Sequence, residues 1–323
     1  LAGGVFALLL IATVATSHNP LADRRLILWA WLAGATIVSL VGLWQFAAGS
    51  MLISAEGVQR IRAFYGSPNN LALYLERSLA VTLALGLFTW YRRSRFIWLV
   101  LAGIQGAALL LTFSKGALLL ALPVIFVVLW LGGWRLLRQS GQPTRPLWLL
   151  AGLAALGCLA MFPFLGTERF QRLLDFSQGT GFLRIQLWRS AWQMALDHLP
   201  FGVGPDNFLY AYRSGYILPE AWQEPNLNHP HNWLLDWWTR LGLIGLALGL
   251  GFWASGIARL WRGFRLVSDS VEQRICALGF LAASLAALAH GWIDLSYALP
   301  DLMIVWCLMF FLIGEREQRD SDI

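Results

Sequence analysis

Nine apolar runs, about 1–16, 26–48, 71–90, 96–113, 116–133, 146–165, 241–258, 275–292 and 300–314, take up most of this 323-residue chain. A run of about 20 apolar residues matches the roughly 30 Å hydrocarbon core of a bilayer, and a helix satisfies every backbone polar group inside it. Charged residues make up 13% of the chain, against about a quarter in soluble domains, too few to cover a globular surface. The pattern therefore predicts an all-α, polytopic transmembrane helical bundle of about nine spans.

The connections carry the orientation. Arg24 and Arg25, Arg92, Arg93 and Arg95, Arg135, Arg138 and Arg145, Arg259, Arg262, Arg265 and Arg274, and Arg316 and Arg319 fall on one side, all in short connections. The short connections of the other side hold Arg60, Arg62 and Lys115. The positive-inside rule makes the first set cytoplasmic and puts the long polar segment 166–232 outside. Four regions follow: six N-terminal transmembrane helices over 1–165, a loop with interfacial helices over 166–240, three C-terminal helices over 241–314 and a cytoplasmic tail over 315–323. The chain opens inside an apolar run without methionine, so spans are expected upstream. The net charge of +6 then reads as topology, and no nucleic-acid partner is expected.

Chemistry has to sit where polar side chains gather. His229 and His231, two of five histidines, close the long polar segment just before an apolar helix. His231 has two readings, a general base titrating near neutrality or a cap on the following helix. Pro230 biases His229 away from helical geometry, toward shaping the turn. Asp236 is off the helical face of His231, and no other carboxylate or cysteine has ligand spacing, so no metal is expected. Cys158, Cys276 and Cys307 all lie in apolar runs and predict neither disulfide nor zinc.

Arg62, Lys115, Arg184 and Arg189 are the outer cations, suited either to lipid headgroups or to a phosphate-like anion. Residues 183–198 have helical character, with Arg184, Trp188 and Trp192 on one face, and suggest a helix lying on the membrane interface. Glu76 and Arg77 are neighbours within the third run and each is expected to pair elsewhere. His290 and Asp294 are four residues apart and share a helical face if the helix extends that far.

Taken together, these segments resemble the O-antigen ligase / O-antigen polymerase superfamily of membrane glycosyltransferases. His231-Asn232 followed after nine residues by Gly242 and then Gly245 is similar to its H-(N/S/Q)-x9-G-x-x-G motif. Arg184, Trp188 and Ala191 are similar to R-x-x-x-W-x-x-A. Pro200, Gly202, Gly204 and Phe208 are similar to P-x-G-x-G-x-x-x-F. Arg62 to Asn69 and Thr112 to Gly116 resemble its upstream segments, with Lys115 where the family has arginine.

The resemblance implies a bacterial inner-membrane enzyme that works without cofactor or metal, on the periplasmic face. It implies movement of a glycan from a polyprenyl-diphosphate carrier to an acceptor hydroxyl, on lipid A-core or another molecule. It casts His231 and Arg184 as catalytic, with Arg189, Arg62, Lys115 and Asn232 binding substrate. A polysaccharide polymerase, a protein O-oligosaccharyltransferase and a bicarbonate or anion transporter are the alternatives.

Overall fold

The computed structural model describes residues 9, 12–13, 20–171, 177, 179–266, 270–295 and 300–311. The first apolar run, 1–16, and the tail, 315–323, lie outside that set or almost wholly so. The described helices are α1 (Pro20–Ala47), α2 (Pro68–Phe88), α3 (Arg92–Leu111), α4 (Leu122–Gln139, entered through a π-helical turn at Ala117–Ala121), α5 (Arg145–Met161), the short α6 (Glu168–Gln171), α7 (Gly179–Asp197), the short α8 (Phe208–Ala211), α9 (Trp233–Arg265), α10 (Val271–His290) and α11 (Pro300–Phe311). Among the described residues seven helical segments are long and apolar enough to cross a membrane, and α11 is a shorter apolar helix. The chain is an all-α polytopic bundle.

Two spans form its centre. Every residue of α2 from Leu71 to Phe88 is buried, and α10 is buried along most of its length. A helix apolar on all sides belongs inside a bundle. Small side chains let these two approach: Ala277, Gly279, Ala282, Ala283, Ala286 and Ala287 of α10 are buried, and a Cβ on Gly279 would lie 2.9 Å from the Cα of Val81. Small-residue seams are the usual means of close packing where lipid offers no hydrophobic contrast. Hydrogen bonds add to it, with Thr82 of α2 donating to Gln105 of α3 at 3.3 Å and Gln105 to Thr36 of α1 at 3.1 Å.

The two ends of the bundle differ. At one, Arg25 pairs with Glu272 at 2.9 Å and Arg274 donates to Gln139 at 2.5 Å. At the other lies a β-hairpin that the apolar pattern does not foretell, Ile53–Ala55 paired antiparallel with Val58–Arg60. Glu56 and Gly57 turn it with φ of 50° and 77°, the left-handed pair that two-residue hairpins favour.

α9 is longer than expected. Its 33 residues span about 50 Å at 1.5 Å each, well beyond the hydrocarbon core, so it starts inside the region read as loop. It is broken at Gly242, where φ is 66° and ψ −167°. The freed carbonyls are used: Val203 N–H donates to Thr239 O at 2.8 Å and Gly204 N–H to Arg240 O at 3.0 Å. A side chain at Gly242 would overlap the Pro200 carbonyl, and one at Gly202 would meet Thr239 O at 2.6 Å. The two glycine motifs are therefore the two faces of one joint.

Candidate functional site

The hairpin, the turn before α4, α7 and the end of α10 meet above the central helices around Asp294. Its Oδ1 accepts from His231 Nδ1 at 3.1 Å and from Leu295 N–H at 2.8 Å. Its Oδ2 accepts from Asn69 Nδ2 at 3.1 Å and lies 3.9 Å from Arg184 Nη2. Burial pushes the carboxyl up, but the His231 hydrogen bond and the charges of His231, Arg184 and His290 outweigh it and hold Asp294 well below the usual carboxylate range. An ionised Asp294 requires a proton on His231 Nδ1, which leaves Nε2 of the neutral ring as acceptor.

Local structure aims this imidazole. His231 has φ of 50°, a left-handed conformation that is costly outside glycine and concentrates at functional sites. Asn232 caps α9, accepting from Leu234 and Leu235 N–H at 3.0 and 3.1 Å, and donates to Trp292 O at 3.1 Å. Trp233 N–H donates to Gly291 O at 3.0 Å. Trp188 of α7 donates from Nε1 to Pro230 O at 2.9 Å. Arg240, paired with Asp236 at 2.8 Å, also donates to the carbonyls of Pro205 and Asn228.

Beside Asp294 opens a cavity of about 70 Å³, and its lining includes Arg60, Lys115, Arg169 and Arg184. Arg60 donates to Thr112 O and to Asn69 Oδ1, each at 2.7 Å. Arg169 reaches Phe113 O at 2.7 Å and Glu56 at 2.8 Å, and Lys115 lies 3.4 Å from Glu56. Burial lowers all three cations, Arg60 to about 9, with Arg169 adding to the effect on Arg60 and Glu56 opposing it. Four cations against the two carboxylates that touch them leave a formal excess of two positive charges. Groups whose charged forms are penalised in this way are stabilised by an entering anion.

The expected site residues divide. Arg184 and Lys115 line the cavity and His231 joins it through Asp294, whereas the Asn232 side chain is spent on capping α9 and on Trp292 O. Arg62, which donates to Tyr65 O at 3.3 Å, and Arg189, which donates to Gln186 Oε1 at 3.2 Å, are not among the lining residues. Arg60, Arg169, Asn69 and Asp294 are the residues that sequence reasoning missed. Arg184 and Trp188, expected on one face of α7, both reach the site, at Asp294 and the Pro230 carbonyl. The side chains of His290 and Asp294 take different partners, His290 Nδ1 lying 2.6 Å from Glu76 Oε2, while Asp294 N–H donates to His290 O at 3.2 Å.

A carboxylate does accompany the two histidines, from 63 residues away. Among the described residues, potential ligand atoms of His229, His231 and Asp294 lie within 4.8 Å of one another. All four partners of the Asp294 oxygens are already N–H groups, which disfavours a cation there. His229 stacks near His231 at 4.2 Å between ring centroids, and burial, then the charge of His231, drive it down to about 3.

Comparison with known proteins bears on the same residues. Residues 99–250 match the family model described as O-antigen ligase. That stretch is similar to the O-antigen ligase family. The long apolar helices are those of a multi-pass membrane protein, and the matched stretch runs through several of them. No curated protein matches the chain. The family match includes Lys115, Arg169, Arg184 and His231–Gly245. It leaves out Arg60, Asn69 and Asp294, which geometry alone brings to the site.

Proposed function

We propose that this protein transfers a glycan from a polyprenyl diphosphate to an acceptor hydroxyl, at the periplasmic face of a bacterial inner membrane, in the manner of an O-antigen ligase. The observation that carries the reading is an imidazole oriented by a buried carboxylate at the edge of a cationic cavity. His231 Nε2 takes the proton of the acceptor hydroxyl, whose oxygen attacks the anomeric carbon. The bond from that carbon to the diphosphate oxygen breaks, and the electron pair leaves on the diphosphate. Asp294 orients His231 and stabilises the imidazolium, as the carboxylate does in a Ser-His-Asp triad.

Arg184, Lys115, Arg60 and Arg169 neutralise the departing charge, which is where preorganised donors contribute most to rate. Arg60 and Arg169 take the place in the cavity expected for Arg62 and Arg189. With four cations in that role the reaction runs without a divalent ion. Purified protein, given lipid-linked donor and acceptor, should transfer at an unchanged rate in millimolar chelator. Activity lost to chelator and restored by zinc would instead make His229, His231 and Asp294 a metal site. Deletion of the gene separates ligase from polymerase: a lost ligase leaves bare acceptor core, whereas a lost polymerase leaves core bearing a single repeat unit.

A further inference from the structure

His290 and Ser114 line the cavity and have no role in the transfer step proposed above. Ser114 is 1% exposed, and its Oγ has no hydrogen-bond partner among the described residues. A buried hydroxyl left unpaired carries its full desolvation penalty, so an occupant of the cavity is the natural partner. His290 is held through Nδ1 by Glu76, with both side chains essentially fully buried. A buried ion pair is weak evidence for stability, since apolar residues of similar volume often serve as well. Its other ring nitrogen lies on the edge facing Gly116, where an added Cβ would overlap Cδ2 and Nε2. A residue without a side chain at 116 is what admits that edge to the cavity.

The cations leave work for these two. Arg60 and Arg169 each spend two N–H directions on protein acceptors. Their charge draws an anion in, but charge alone fixes neither its depth nor its orientation. We propose that His290 Nε2 and Ser114 Oγ form the hydrogen-bonding floor of the cavity and donate to phosphate oxygens of the bound diphosphate, His290 doing so as the imidazolium whose Nδ1–H is held by the Glu76 carboxylate. Glu76 is the positioning residue that turns the imidazole toward them. The inference rests on the reading of the cavity as the diphosphate site.

Inorganic pyrophosphate is the probe, titrated calorimetrically into the full chain in detergent. Ser114→Ala and His290→Gln are each expected to weaken it about tenfold, the size of one hydrogen bond to a charged group, and Glu76→Gln to weaken it less. In the transfer reaction the same variants should raise the donor KM more than they lower kcat. Ser114→Ala removes an unpartnered oxygen, so it keeps the fold even if His290→Gln does not. If the parent protein binds pyrophosphate and both Ser114→Ala and His290→Gln bind it as tightly, the floor is overturned and the diphosphate site stands. If the parent protein does not bind pyrophosphate, and pyrophosphate does not compete with lipid-linked donor, the diphosphate reading fails and the floor fails with it.

Discussion

The end of α10 contributes to two histidine–carboxylate pairs four residues apart, alike in chemistry and opposite in setting. His290 meets Glu76 at 2.6 Å with side chains 1% and 0% exposed, between the two most buried spans. Asp294 meets His231 at 3.1 Å, and the His231 side chain is 23% exposed. The first joins two packed helices, so neither partner can move without opening the bundle. The second joins a helix end to a loop residue in a strained conformation, and its ring is the more open of the two. A histidine–carboxylate pair becomes a base where the carboxylate is fixed and one edge of the ring is not.

Substitutions can break that contrast from either side. The largest effect is expected from His231→Ala, which should lower kcat by about 10²–10⁴, the usual worth of a general base, with thermal stability in detergent retained. Near-normal transfer in a folded variant would remove His231 from the chemistry. Glu76→Leu acts on the other pair and should cost about 3–5 kcal/mol, as loss of one partner of a buried pair does. Denaturant titration reads it, and a variant as stable as the parent would show the pair to be dispensable.

Gly242→Ala lies between the two settings. It places a side chain on the Pro200 carbonyl at φ 66°, and should cost more than the ~1 kcal/mol of an ordinary helix glycine exchange while lowering transfer. Asn232→Ala removes a cap and should cost about 1 kcal/mol, read from the shift in denaturation midpoint.

The remaining effect concerns pH. Burial lowers His229 from 6.5 to about 3, so between those values the unfolded chain binds a proton that the folded chain does not. Its contribution to stability is complete above pH 6.5 and declines as pH falls toward 3. His229→Gln should flatten the melting profile in that window, and parallel profiles for the two proteins would contradict it.

The spans are legible because apolar length is a local property. The run at 71–90 becomes α2 and that at 275–292 becomes α10, each within a few residues. His231 and Gly242 are legible through their spacing, although the reason for the glycines is not, since it lies in a contact with Pro200 some 40 residues earlier. Asp294 shows the limit. Helical periodicity pairs it with His290, and the turn does carry on past α10, with Asp294 N–H donating to His290 O at 3.2 Å, but each side chain finds its partner on another element. Arg60 and Arg62 sit in the same Arg-Ile-Arg triplet, and only the hairpin register decides which one joins the cavity. That hairpin hangs on a Glu56-Gly57 turn between two three-residue strands, too short for alternation to stand out from background.

The Glu76–His290 contact spans 214 residues of sequence. Ribosomes add about 5–20 residues per second, so Glu76 emerges roughly 10–40 seconds before its partner has been made. During that interval α2 carries Glu76 with no His290 to receive it and Arg77 with no Trp306 ring beneath its guanidinium. The pair can therefore close only late in synthesis, and a chain stopped short of His290 leaves the Glu76 carboxylate without its partner among the packed spans.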